Sequence, residues 1–149
     1  MKAPAIARVI GALFLLAGVA AVLPFVTTPA GPSDEYLQLG AGYGFVAGIF
    51  AVNAVHDVVH AIVGVWGILA SFSFAAAVRY CRWTAWIFGA LALLGLIPIT
   101  DTVFGVVPLY GYDVILHAVV AVLALYGGYG AGRLAAAHED ALPPPAAPA

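Results

Sequence analysis

Charge is what this sequence has least of. Asp, Glu, Lys and Arg together make up 8% of its 149 residues, where a soluble domain carries about 25%. So little charge excludes an ordinary water-facing surface. Five basic residues set against seven acidic ones leave a net charge of −2, which excludes the basic patch a nucleic-acid partner needs. The single cysteine, Cys81, excludes an internal disulfide framework, so packing must hold the fold. The chain has no phosphate-binding loop, no Ser-His-Asp set with usable spacing and no cysteine pair for a cluster. What it does have is apolar: 64% hydrophobic residues and a mean hydropathy of +1.08.

That material is arranged in four stretches, about 5–26, 53–78, 83–99 and 111–134. A bilayer core of roughly 30 Å takes about 20 helical residues, so each stretch is read as a transmembrane helix. The expectation is an all-α, integral membrane four-helix bundle over residues 1–134, followed by a disordered cytoplasmic tail over 135–149. The tail has a Pro/Ala run and nothing to bury. Polar breaks separate the helices at Thr27 to Gly44, at Arg79 to Arg82 (read as a tight basic turn) and at Thr100 to Tyr110.

Orientation follows from the cations. Lys2, Arg8, Arg79, Arg82 and Arg133 fall at the two termini and in the middle break, all on one side of a four-helix topology. The positive-inside rule puts that side, and both termini, in the cytoplasm of a cell with its plasma (inner) membrane as location. Asp34, Glu35 and Asp101 fall in the outer loops. Tyr80, Trp83 and Trp86 suit the inner aromatic belt, and Tyr36, Tyr43, Tyr110 and Tyr112 the outer one. A cleaved signal peptide ending near Ala30 is the competing reading of the first stretch.

An internal repeat argues against cleavage. Ile10-Gly11-Ala12-Leu13 recurs as Phe88-Gly89-Ala90-Leu91. A second correspondence, at a shift of 57 residues, is sharper: Gly48 falls on Gly105, Asn53 on Tyr110, His56 on Asp113 and His60 on His117. Two copies separated by an even number of helices share one orientation, which predicts two parallel helix-pair repeats about an axis along the membrane normal. Gly44-x-x-x-Gly48 and Gly128-x-x-x-Gly132 have the spacing of close helix contacts, within the bundle or in a homo-oligomer or larger membrane complex.

The repeat also aligns the chemistry. His56 and His60 share one helix face at i, i+4, and Asp113 and His117 share the matching face of the last helix. If those faces meet, three imidazoles and a carboxylate converge, the way bundle cores build metal sites. The set suits zinc, copper, iron or manganese. Haem b, with His60 and His117 as axial ligands, is a variant. Plainer readings stand beside these. Asn53 has the place of a helix N-cap, and Asp113 suits the positive end of its helix. His60 and His117 are also suited to hydrogen-bonded glue in an accessory subunit without a cofactor. Asp57 lies on another face, and Cys81 reads as an inert interfacial thiol or an acylation site.

The run Asn53-x-x-His56-x-x-x-His60-x-x-x-Gly64, followed by Gly105, Pro108, Asp113 and His117, resembles a family of small bacterial membrane proteins known as domain of unknown function 4383. The resemblance extends from the first helix to Arg133. It implies four helices and a shared polar cluster, and no particular reaction. Members of that family carry Asn-x-x-His in the last helix, where this chain has Val114 in place of the Asn.

Overall fold

The computed structural model describes residues 2–34 and 37–130. The expectations for Glu35, Tyr36, Gly132, Arg133, His138 and the 135–149 tail lie outside the described residues.

Four helices dominate. They are α1 (Lys2–Ala21), α2 (Ala54–Ala70), α3 (Phe74–Leu94) and α4 (Tyr112–Leu125), and α4 runs on into a π-helical turn at Tyr126–Gly130. Each helix buries one narrow stripe at helical spacing. Ala3, Ala7, Ile10 and Phe14 form the stripe of α1, and Cys81, Ala85, Phe88 and Ala92 that of α3. The stripe of α2 is His56, His60, Gly64 and Gly67, against Asp113, His117, Val120 and Ala124 on α4. The opposite faces are exposed and apolar, with Leu13, Leu16, Ile62, Leu69, Val119 and Val122 all more than half exposed. Polar side chains inside and leucines outside invert the usual arrangement of a soluble domain. Two helices, Lys2–Ala21 and Tyr112–Gly130, are long and apolar enough to cross a membrane.

The helices pair as α1 with α2 and α3 with α4. The first pair crosses at glycine. A Cβ on Gly11 would stand 2.8 Å from the Gly64 carbonyl oxygen and the Ile68 nitrogen, so only glycine admits this approach. Gly67 gives the same room to the ring of Tyr80.

Several expectations are corrected. The break between α2 and α3 lies at residues 71–73, not at Arg79 to Arg82, which are inside α3. Ser71 ends α2 because its hydroxyl donates to the Ile68 carbonyl (2.7 Å), offering the backbone an exit from the helix. Arginine, by contrast, is a good helix former. Arg82 runs its stem along the bundle, donates from Nε to the Gly128 carbonyl at 2.9 Å and stacks over Tyr129. With the break moved, α2 ends eight residues before 78 and α3 begins nine before 83.

The connection between α1 and α2 also holds a sheet that the all-α reading missed. Strands β1 (Thr27–Pro29), β2 (Gly44–Val46) and β3 (Phe50–Val52) pair antiparallel in that order. The β-forming residues Phe45, Val46, Phe50 and Val52, either side of a turn with Gly48 at φ 73, are the local cause. Gly44 and Gly48 therefore shape a hairpin and not a helix contact, and Gly128 packs on Arg82 within the π-turn. Tyr80, expected in the inner aromatic belt, is fully buried against Trp66 (ring centroids 5.0 Å apart), while Trp83 and Trp86 are exposed.

Candidate metal centre

The site lies where α2 and α4 begin, beneath the sheet. Asn53 caps α2: its Oδ1 accepts from the His56 backbone N–H at 2.9 Å, the bond expected of an N-cap. Its Nδ2 donates to the Leu39 carbonyl at 2.8 Å and the Val106 carbonyl at 2.7 Å. One buried side chain thus ties the loops at Leu39 and Val106 to the start of the helix that bears His56 and His60. The matching residue, Tyr110, bonds hydroxyl to hydroxyl with Tyr43.

Just inside, His56, His60 and His117 come together, each no more than 6% exposed. One ligand nitrogen from each lies within 4.8 Å of the other two, so the three are able to hold a metal ion. The rings of His56 and His60 are 4.4 Å apart, and those of His56 and His117 6.0 Å. Phe14 from α1 packs on His60 at 5.0 Å, Phe88 from α3 packs on His117 at 5.2 Å, and the two phenyl rings touch at 4.8 Å. These phenylalanines form an apolar floor that holds the imidazoles at one depth. Phe88 was visible in the sequence only as the repeat mate of Ile10, and nothing marked Phe14.

Asp113 is 3% exposed, on the face expected, but it stands outside the mutual 4.8 Å grouping of the histidines. The backbone of Ala51 explains its position. That residue belongs to β3, an edge strand, whose N–H and C=O groups on the side away from β2 have no ladder partner. The Ala51 backbone hydrogen-bonds both Asp113 and His56. The sheet is therefore a lid whose main chain bridges the two repeat-equivalent residues.

Hydrogen bonding at the centre is incomplete. Nδ1 of His56, both ring nitrogens of His60, Nδ1 of His117 and Oδ2 of Asp113 are buried with no hydrogen-bond partner among the described residues. Buried polar atoms are nearly always satisfied, and each orphan costs about 1–3 kcal/mol. A group of lone-pair nitrogens facing one another without partners suits a cation. Nitrogens about 2.0–2.1 Å from a tetrahedral ion are roughly 3.3 Å apart, so small ring rotations would close these histidines on a metal.

A sequence-family model for the family described as Domain of unknown function (DUF4383) matches residues 5–130. The chain belongs to that family. The matched span holds α2, α3, α4, all but the first turn of α1, the sheet and every residue of the candidate centre, so DUF4383 takes in the site as well as the fold. No curated protein and no solved structure matches the chain.

Proposed function

We propose that this is a multi-pass membrane protein that binds a divalent transition metal, with zinc, copper, iron and manganese all compatible with the donors, through His56, His60 and His117. The observation that carries the metal is the orphaned state of the clustered imidazole nitrogens. Three protein nitrogens leave a coordination position open for water or another small ligand, as in catalytic rather than closed structural sites. Asp113 keeps an unpartnered oxygen and, standing outside the histidine group, would orient what binds beside it.

The membrane reading is supported by the inverted surface and the two long apolar helices. Burial repeated in register supports two parallel helix-pair repeats. Ala7, Ile10 and Phe14 match Ala85, Phe88 and Ala92 at a shift of 78, and α2 matches α4 at a shift of 57. The backbone repeats too: Ala47 and Gly48 take positive φ, and so do Phe104 and Gly105, 57 residues on. Lys2 reaches Tyr126, Arg8 reaches Ser71 and Arg82 reaches Gly128, which gathers these cations at the end away from the sheet. By the positive-inside rule that end, with both termini, is cytoplasmic, and the bilayer is the first partner.

Haem b fits less well than a bare ion. A macrocycle between His60 and His117 needs a flat slot, and Phe14, Phe88 and His56 fill that space. A purely structural cluster fits less well too, because glue requires hydrogen bonds and His60 makes none with the described residues.

Elemental analysis of protein purified in mild detergent without chelator tests the proposal. One ion per chain is expected, lost on His60→Ala or His117→Ala and kept on His138→Ala. Equal metal content in all three variants would sink the reading. Topology is tested separately by labelling intact cells with an impermeant thiol reagent: a cysteine at Ser33 should react and one at Ser73 should not.

A further inference from the structure

A cavity of about 420 Å³ lies between α1 and α4, roofed by Val46, Phe50 and Val52 of the hairpin. That volume is within the roughly 300–1,000 Å³ of small-molecule sites. Its mouth is framed by Leu13 and Leu16 of α1 and Val119 and Leu123 of α4, between 44% and 65% exposed, on the apolar outer face of the bundle. Every lining residue is apolar except two at its inner end, His60 and Asp113. Both are more than nine-tenths buried, and both carry atoms with no hydrogen-bond partner among the described residues. A plain acyl chain would fill the cavity and leave those atoms unsatisfied.

We propose that this cavity is the binding site for a lipid-soluble aromatic diol: a resorcinol-type ring with two meta hydroxyls and an apolar tail, entering sideways from the bilayer. Two polar groups on different helices, α2 and α4, call for a head with two hydrogen-bonding groups at a fixed separation. One ring hydroxyl donates to Oδ2 of Asp113. The other meets the ring nitrogen of His60, and a hydroxyl both donates and accepts, so it serves whether that nitrogen carries a proton or a lone pair. Phe14 and Phe50, on the cavity wall, flank the ring, and the tail leaves past Leu16 into lipid. A long-chain alcohol has one hydroxyl and satisfies only one of the two. The site rests on the membrane reading and abuts the metal centre through His60, but it does not require the ion.

The test uses the full-length chain in lipid nanodiscs, with 4-dodecylresorcinol bearing a photoreactive group in its tail. This probe has two ring hydroxyls and no redox chemistry. Cross-links mapped by mass spectrometry should concentrate on α1 and α4 around Leu16 and Val119. Unlabelled resorcinol should compete about tenfold or more better than its dimethyl ether, which has lost both donors, or 1-dodecanol, which has one. Leu16→Trp, at an exposed position that leaves the core intact, should cut labelling by a similar factor without changing metal content; Asp113→Asn should weaken competition by the resorcinol. Equal competition by the ether would overturn the proposal in favour of a lipid tail. Labelling spread over all four helices, or unaffected by Leu16→Trp, would overturn it as well. Metal measured on the same samples keeps the two readings apart: a chain that takes the diol but holds no ion refutes the metal centre alone.

Discussion

The two helix pairs carry the same buried stripe and use it differently. In the first, Gly11 lies against Gly64 with no room for a methyl group. In the second, the equivalent Gly89 meets only Ala121, at an ordinary 3.9 Å. The first pair has Asn53 joining the loops at Leu39 and Val106, where the second has Tyr110 reaching across to Tyr43. The first has two histidines, and the second a carboxylate and a histidine. A fold made of two similar halves needs only matched burial. A site needs unlike groups, and the differences collect at the ends of α2 and α4 nearest the sheet.

Removing an imidazole gives the largest expected effect on this comparison. His60→Ala and His117→Ala, at matched positions, should each lower metal affinity more than tenfold, by loss of a direct ligand. Asp113→Asn should lower it by about tenfold, as for a group that supports ligands. Competition against a calibrated chelator would show the order, and an Asp113 effect equal to that of the histidines would make it a full ligand. Because imidazoles bind metal only when neutral, occupancy should fall once acid protonates them.

Next comes the cap. Asn53→Ala removes an N-cap and two further donors, and should cost about 3 kcal/mol. Tyr110→Phe removes one hydroxyl and should cost about 1 kcal/mol. Denaturant titration in detergent would compare them, and equal costs would mean that the loops are not held through Asn53.

Gly11→Ala should destabilise the bundle by about 2 kcal/mol through overpacking. Gly89→Ala should be neutral or add up to about 1 kcal/mol of helix propensity. Matching melting shifts for the two would erase the difference between the helix crossings. Smallest is Ala47→Gly. Ala47 holds φ 52 in the hairpin turn, and glycine relieves a left-handed cost of about 1 kcal/mol. A small rise in melting temperature is expected, and a fall would show that the Ala47 methyl group contributes packing.

Much of this was readable before any coordinates. The i, i+4 spacing of His56 with His60 and of Asp113 with His117 put these residues on buried faces, because helical periodicity is local and hydrophobic faces turn inward together. Asn53 was recognisable as a cap by its place before an apolar run. The break at Ser71 was not, because two arginines within 79–82 look more like a turn than Ser71 and Ser73 on either side of a phenylalanine do. The sheet was hidden because three-residue strands have no period to read.

The sequence by itself determined four helices, the asymmetry of charge between the two ends and the pairing of His56 with Asp113 and of His60 with His117 across the repeat, since composition and spacing are properties of the chain alone. Tertiary structure alone decided that His56, His60 and His117 form the tight group while Asp113 stands aside. It also decided that Ala51 bridges His56 and Asp113, and that α1 and α4 part enough to leave a cavity ending at His60 and Asp113. Those outcomes depend on how far side chains reach across gaps between helices, and that distance is set by residues such as Gly11 and Phe14, remote in sequence from the groups they position.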